Sequence, residues 1–283
     1  ELKRADKSRF HNDTMMISWT DKNPLVAQPS HYMTIQTIIG KVLQKMRGGA
    51  VILYPKGRVK GRVLISYKTE PFFDYEQKEH LHTNMWECRE IVSTFLQRGY
   101  VVDVIDHFNT TFVPKRSYTY FLDLGPNLTR IGSLLNQDCV KIFYGTTSHW
   151  RFNNEAEQER LKNLNKRRGV LLTPRRTLKP NQGIEQADYA ALLGNAVTAE
   201  TYSFSHKQIT QIPISTTHTF PFQENKNFEG VKKSFVWLGG VGMVHKGLDL
   251  VLEAFVQMSD YQLVVCGNVK GEKDFEKLYF KEL

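Results

Sequence analysis

Cysteine is scarce in this chain of 283 residues, which contains three, and no two of them form a C-x-x-C pair. Cys88, Cys139 and Cys266 each fall in or beside a predicted helix or strand. This pattern argues against a disulfide framework and against a zinc site, and it suits a reducing cytoplasm. Long apolar runs are also missing, since none approaches the ~20 residues of a membrane-spanning helix. We therefore expect neither a bound metal nor a membrane span.

Positive charge is in excess, because the formal net charge is +9 at pH 7. Basic residues cluster at Lys56–Arg62, Lys166–Arg168 and Arg175–Arg176. Such clusters attract anions such as nucleotide diphosphates, anionic membrane surfaces and nucleic acid, and the alternative for each is a solvated basic surface. Since no motif with interleaved aromatic residues accompanies them, nucleic acid is not an expected partner.

Apolar runs of strand length alternate with helical stretches along most of the chain. Six runs before residue 215 predict strands: Val63–Tyr67, Tyr100–Ile105, Thr119–Asp123, Val140–Tyr144, Tyr189–Leu193 and Ile209–Ile214. Helices are predicted between them, at 84–98, 128–135, 148–168 and 198–204. This alternation is typical of a doubly wound α/β domain with a parallel sheet. We expect Val63–Tyr67 to be a buried central strand.

One polar segment divides the chain. Residues 215–233 lack periodicity and contain Pro221, which indicates a linker between two domains. We expect a first domain at 59–223 and the start of a second at 224–283. Residues 1–58 carry no recognisable chemistry, so we interpret them as an N-terminal extension or as the tail of an upstream domain. Lys56–Arg62 reads as an exposed basic linker.

The stretch from Ser234 to Gly267 predicts a strand, a glycine-rich turn, a helix and a second strand. The strands are Phe235–Leu238 and Gln262–Cys266. One face of the helix is apolar, whereas Asp249 and Glu253 fall on the other face. This unit is a βαβ unit of the kind that builds parallel sheets.

The turn of this unit has a chemical interpretation. Glycines let the backbone approach a ligand closely, and the first turn of the next helix offers unpaired N–H groups and a partial positive charge. A lysine at that place suits phosphate. The alternative is a tight turn with a solvated lysine, since the pattern is neither the dinucleotide fingerprint nor a P-loop. The candidate phosphate-binding residues are Gly239, Gly240, Gly242, His245 and Lys246.

The run GGVGMVHKGLDLVLEAF resembles the opening of the second domain of family-4 glycosyltransferases, which have the two-domain GT-B fold. Lys246, Gly247 and the run Leu252–Phe255 match that opening. The resemblance implies that Lys246 holds the diphosphate of a nucleotide-sugar donor. The family commonly has an arginine five residues before the lysine, and that place is Val241 here. The resemblance extends more loosely over residues 59–283.

The resemblance implies an α/β protein with two Rossmann-like domains of GT-B type, the second incomplete. The family carries two glutamates, eight residues apart, late in that domain, so we expect the chain to be a fragment that is inactive alone. The implied activity is a retaining transfer of a sugar from a nucleotide-diphosphate-sugar donor, without a cofactor, to a polysaccharide, lipid or protein acceptor. The implied location is the cytoplasm, with peripheral contact at the inner face of an anionic membrane. Two alternatives remain open: a nucleotide-sugar epimerase of the same fold, and a non-catalytic, basic Rossmann-like binding protein.

Two histidines are candidate catalytic residues in the first domain. His82 lies at the junction of a loop and a helix, where an acceptor would meet the sheet. His149 follows the predicted strand Val140–Tyr144 and is suited to act as a general base or to donate a hydrogen bond. The alternative for His149 is a residue at a helix start that packs against Trp150. Asn84 and Glu87 are predicted to cap the helix after His82.

Overall fold

The structure, a computed structural model, describes residues 49–73 and 82–283, so most of the expected N-terminal extension lies outside the described residues. The strands in this part of the chain are β1 (Val51–Leu53), β2 (Gly61–Tyr67), β3 (Tyr100–Asp106), β4 (Tyr120–Asp123), β5 (Val140–Gly145), β6 (Tyr189–Leu193), β7 (Ile209–Ile212), β8 (Ser234–Leu238) and β9 (Gln262–Cys266). The helices are α1 (Thr83–Gln97), α2 (Pro126–Ile131), α3 (Trp150–Arg168), α4 (Gly183–Gln186), α5 (Ala196–Glu200), α6 (Leu248–Phe255) and α7 (Lys273–Leu278).

Contacts group these residues into two compact units. The central-sheet unit contains residues 49–73, 82–149 and Lys179–Phe220, and the C-terminal unit contains Trp150–Leu178 and Pro221–Leu283. This division differs from the boundaries expected from the sequence chiefly in one segment. Residues 150–178, which the sequence places inside the first domain, pack with the C-terminal residues instead.

The central-sheet unit is built on a mixed sheet of seven strands in the order β1-β3-β2-β4-β5-β6-β7. β1 is antiparallel to β3, and the other pairs are parallel. Because β2 pairs with both β3 and β4 and buries Val63–Tyr67, the predicted central strand is confirmed. The parallel strands have the flavodoxin-like order, in which the direction of winding changes between β2 and β4. The protein is therefore α/β, as predicted, and its sheet is compatible with a Rossmann-like arrangement.

Both faces of this sheet are covered, as expected for parallel strands. Val63, Ile65 and Tyr67 of β2 belong to one core with Val102 and Val104 of β3. The alternate residue Leu64 lies in a second core, together with Ile105, Phe121 and Phe143. The period of two along β2 thus divides its side chains between the two cores.

The last two residues of the basic stretch Lys56–Arg62 are not part of a linker, because Gly61 and Arg62 begin strand β2. The Arg62 guanidinium pairs with the buried carboxylate of Asp103 in β3. Tyr118 donates a hydrogen bond to the other oxygen of Asp103 over 2.7 Å. The expectation of an exposed linker is therefore wrong for Arg62. The short strand β1, which precedes residue 59, also belongs to the sheet.

The C-terminal unit contains the predicted βαβ unit, since β8 and β9 pair in parallel and α6 lies between them in the chain. Leu248 and Leu252 of α6 are buried with Trp237 of β8. Helix α3 adds Leu161 and Leu164 to the same core. The apolar face of α6 is therefore buried, as the sequence predicts. The core that it joins also includes α3, which lies much earlier in the chain.

Ion pairs hold α3 to the rest of this unit. Arg167 pairs with Asp249 and, over 2.8 Å, with Glu253. Arg168 pairs with Glu253 over 3.1 Å and with Glu282 over 2.8 Å. The basic cluster Lys166–Arg168 is thus largely neutralised within the unit rather than free to attract a distant anion. Asp249, which the sequence places on the face of α6 opposite the apolar one, is nevertheless buried.

Candidate functional site

The glycine turn between β8 and α6 is closed by its own backbone hydrogen bonds. The N–H of Lys246 donates to the carbonyl of Gly242 over 2.9 Å, and the N–H of Leu248 donates to the carbonyl of Met243 over 2.9 Å. Gly242 and Gly247 both have positive φ, at 92° and 74°. Because L-residues with a Cβ rarely adopt such values, the path of the chain explains glycine at these two positions.

Lys246 lies exposed on this turn. A Cβ placed on Gly240 would lie 3.7 Å from its Nζ, so the ammonium lies against that glycine. Within the described residues, no carboxylate pairs with Lys246, and the N–H groups of Gly240 and Val241 have no acceptor. The turn thus combines a free cation with two free backbone donors, which is the chemistry that binds a phosphate oxygen.

Glu272 contacts the backbone of the same turn. Its buried carboxylate accepts hydrogen bonds from the N–H groups of Gly242 and Met243. These two N–H groups lie in the turn before α6 and, being bonded to Glu272, are not free for a ligand. A ligand on the turn would be bound through side chains and the amides nearer Gly240. Glu272 was missed because nothing in its local sequence points to a glycine 30 residues earlier.

His245 is turned toward α3 rather than toward solvent. Burial lowers its pKa, and the charge of Arg160 lowers it further, with Arg176 and Lys246 acting in the same direction against Glu157. Burial and nearby cations thus both favour the neutral ring. His245 also lines a small pocket, at the lower limit of size for holding one water molecule, with Glu157, Glu272 and Asp274.

Glu157 is a second buried acid near the turn. One carboxylate oxygen accepts from the N–H groups of Arg175 and Arg176, at 2.8 and 2.7 Å, and the other accepts from the Thr177 hydroxyl at 3.2 Å. These bonds attach residues 175–177, which follow α3 in the chain, to this helix. The sequence signal was present, because Glu157, Leu161 and Leu164 lie on one face of a helix.

His149 lies at the carboxyl end of β5 in the central-sheet unit and is buried. Its N–H donates to the hydroxyl of Thr201 over 2.9 Å. Its ring contacts the rings of Tyr202 and Phe204, at centroid distances of 5.3 and 4.7 Å. The side chain is therefore packed among aromatic residues, and a ligand would have to displace one of them to reach the ring.

His82 is the N-cap of α1. Its Nδ1 accepts a hydrogen bond from the N–H of Asn84 over 3.3 Å. The predicted cap was Asn84 with Glu87, and this prediction is wrong, because Glu87 is buried and accepts a hydrogen bond from the Tyr67 hydroxyl over 2.8 Å. His82 and His149 both follow carboxyl ends of strands of one sheet, in the loops after β2 and β5, and β4 lies between these strands.

The carboxyl ends of β2 and β4 contain a polar cluster that sequence reasoning missed. Asp123 is fully buried and accepts from the N–H groups of Gly125 and Leu128, at 2.7 and 2.8 Å. Asn127 donates to the hydroxyl of Ser66 over 3.0 Å. Burial raises the pKa of Asp123, and hydrogen bonds from Ser66 and the backbone oppose this. The available signal was an acid at a strand end, beside the point where the winding changes.

Comparisons with protein-family models, with curated proteins and with solved structures gave no match to this chain. Within the described residues, no helix is both long and apolar enough to cross a membrane. The same residues contain no group of three or more histidine, cysteine, aspartate or glutamate side chains that could hold a metal ion.

Proposed function

We propose that this chain is part of a glycosyltransferase of GT-B type, in which the glycine turn of the C-terminal unit binds the diphosphate of a nucleotide-sugar donor. The sugar would pass to a polysaccharide, lipid or protein acceptor held by the central-sheet unit. On this proposal the protein works in the cytoplasm, and its net charge of +9 attracts it to the inner face of an anionic membrane.

A single observation carries the proposal: the exposed ammonium of Lys246, with which no carboxylate of residues 49–73 and 82–283 pairs, lies against Gly240 at the carboxyl end of β8. Parallel α/β sheets bind ligands beyond the carboxyl ends of their strands. A lysine at that place interacts favourably with the negative charge that develops on a leaving diphosphate, and so lowers the barrier to transfer.

The central-sheet unit supports the acceptor side of the proposal by its topology. Its strand order changes direction between β2 and β4, and His82 and His149 follow the carboxyl ends of β2 and β5. In the proposed enzyme these histidines contact the acceptor. The contacts of His149 with Tyr202 and Phe204 require that an aromatic side chain moves when the acceptor binds.

The experiment is a screen of nucleotide sugars with the full-length protein, read out as released nucleoside diphosphate and followed by product analysis. Transfer to an acceptor supports the proposal, and Lys246→Ala should reduce turnover by about ten- to a hundredfold. Lys162→Ala, a lysine of α3 paired with Glu159 over 3.5 Å, is the control and should retain activity. An epimerised nucleotide sugar, or tight binding without any reaction, would contradict transfer and support one of the two alternatives.

A further inference from the structure

Arg176 lies on the glycine turn, although it is 66 residues from Gly242 in the chain. A Cβ placed on Gly242 would lie 2.5 Å from Cγ of Arg176 and 3.1 Å from its Cδ. The aliphatic part of Arg176 therefore fills the space that a side chain at position 242 would need. Both residues belong to the C-terminal unit.

The backbone of Arg176 is fixed on both sides. Its N–H donates to Glu157 over 2.7 Å, and its carbonyl accepts from the side-chain amide of Asn153 over 2.8 Å. The N–H of Leu178 donates to the side chain of Asn154 over 2.8 Å. Since α3 supplies all three side chains, this helix holds the Arg176 segment in place independently of the Arg176 side chain.

The guanidinium of Arg176 has no acid partner within the described residues. Its neighbour Arg175 differs, because it pairs with Asp274 over 2.9 Å. Arg167 and Arg168 are paired as well. An arginine that is held by its backbone, lies on a glycine turn and lacks a carboxylate has the chemistry of an anion ligand.

The positive charge of Arg176 acts on His245, a residue of the turn. It is among the causes that lower the pKa of His245, together with burial, Arg160 and Lys246. Arg160 is exposed on α3 and, like Arg176, has no acid partner in the part of the chain that the structure describes. Cations from two separate segments of the chain, α3 and the segment after it, therefore lie near the turn, and Glu157 opposes their effect on His245.

We infer that Arg176 is a second ligand of the donor diphosphate, acting with Lys246 across the Gly240–Gly242 turn. This inference rests on the proposed function and adds a residue to its binding site. The turn itself has Val241, and not an arginine, at the position five residues before Lys246. Val241 is adjacent to Gly242, the glycine that Arg176 covers. The guanidinium of Arg176, in the segment after α3, thus supplies a planar, bidentate contact to phosphate, which the ammonium of Lys246 cannot make.

The test measures the dissociation constants of inorganic pyrophosphate and of uridine, guanosine and adenosine diphosphates for the full chain. The variants are Arg176→Gln, Arg176→Lys and Lys246→Ala. Arg176→Gln removes the charge and keeps the carbons that cover Gly242, and the backbone bonds to Glu157 and Asn153 keep the segment folded. Arg151→Gln is the control for charge, because this exposed arginine of α3 lies 5.2 Å over the ring of Trp150.

We expect Arg176→Gln to weaken pyrophosphate and the best nucleoside diphosphate about tenfold, as a charge-assisted contact does. Arg176→Lys should recover part of the loss, and Arg151→Gln should stay within about twofold of the wild type. If Arg176→Gln binds like the wild type while Lys246→Ala is weakened, the inference is wrong and the proposed function stands. If neither variant is weakened, or if the wild type binds none of the probes, both are wrong.

Discussion

The carboxylate of Glu272 and the N–H of Gly242 are joined by a buried hydrogen bond, and Met243 donates to the same carboxylate. A carboxylate of the chain itself thus occupies two backbone donors of a turn whose pattern is typical of phosphate binding. The turn is preorganised by this acid, whereas Lys246 lies near Gly240 and Arg176 lies near Gly242.

Replacing Glu272 by glutamine should destabilise the C-terminal unit. Glutamine keeps one acceptor but loses the charge that strengthens both bonds, and such bonds contribute about 1.5–3 kcal/mol each to buried groups. Urea unfolding followed by tryptophan fluorescence should show a lower midpoint. Glu276→Gln, a less buried acid of α7, is the control and should change the midpoint little. Equal midpoints for the two variants would mean that Glu272 does not organise the turn.

Two glycines of the turn should differ sharply in their tolerance of alanine. Gly242 has a φ of 92°, and an added Cβ would collide with Cγ of Arg176 at 2.5 Å. We expect Gly242→Ala to lose about 1–3 kcal/mol of stability through backbone strain, and to weaken pyrophosphate binding because Arg176 is displaced. Gly240→Ala is the matched control for stability, since its Cβ would approach Lys246 Nζ only to 3.7 Å. Thermal unfolding of both variants checks the loss of stability, and equal losses in both would contradict it; pyrophosphate titration of Gly242→Ala against the wild type checks the effect on binding.

His245 should make the stability of the protein depend on pH. Its pKa is lowered in the folded state, chiefly by burial, so the unfolded chain binds a proton first as the pH falls. The free energy of unfolding should therefore decrease as the pH falls below about 6.5, the usual pKa of histidine. His245→Gln should remove this part of the slope between pH 8 and 5 in urea unfolding, whereas the exposed His218→Gln should leave it. An unchanged slope in His245→Gln would show that the folded state does not disfavour the charged ring.

Helix α3 should be required for the stability of the C-terminal unit. Leu164 is fully buried in the core that contains Leu248, Leu252 and Leu263. Its replacement by alanine should cost about 2–5 kcal/mol, through lost burial and the cavity left behind. Leu171, which is 77% exposed in the segment after α3, is the control. If Leu164→Ala changes the urea midpoint no more than Leu171→Ala does, α3 does not belong to this core in solution.

Much of the fold follows from local patterns in the sequence. The strands Tyr189–Leu193 and Gln262–Cys266 were predicted at their observed ends, because an aspartate or glycine bounds each apolar run. β1 was missed, since three apolar residues followed by Pro55 resemble a loop as closely as an edge strand. The buried central position of β2 was predictable, because a continuous apolar run is what burial on both faces requires.

The contacts that shape the site depend on residues far apart in the chain, which local patterns do not predict. Arg167 and Asp249 pair across 82 positions, and each alone is typical of a solvated helix face. Glu272 and Arg176 likewise contact Gly242 from distant positions in the chain, and neither residue is distinctive in its local sequence. Sequence reasoning could therefore locate the turn and Lys246, whereas the second cation and the buried acid required the folded chain.

The most direct test of the account is the dissociation constant of a nucleoside diphosphate for the wild-type chain and for Lys246→Ala, measured by titration calorimetry alongside the parent nucleoside. The account predicts that the wild type binds the diphosphate and not the nucleoside, and that Lys246→Ala binds it about ten- to a hundredfold more weakly with an unchanged unfolding midpoint. Binding by Lys246→Ala within twofold of the wild type would contradict the account, because the glycine turn would then be no more than a chain reversal.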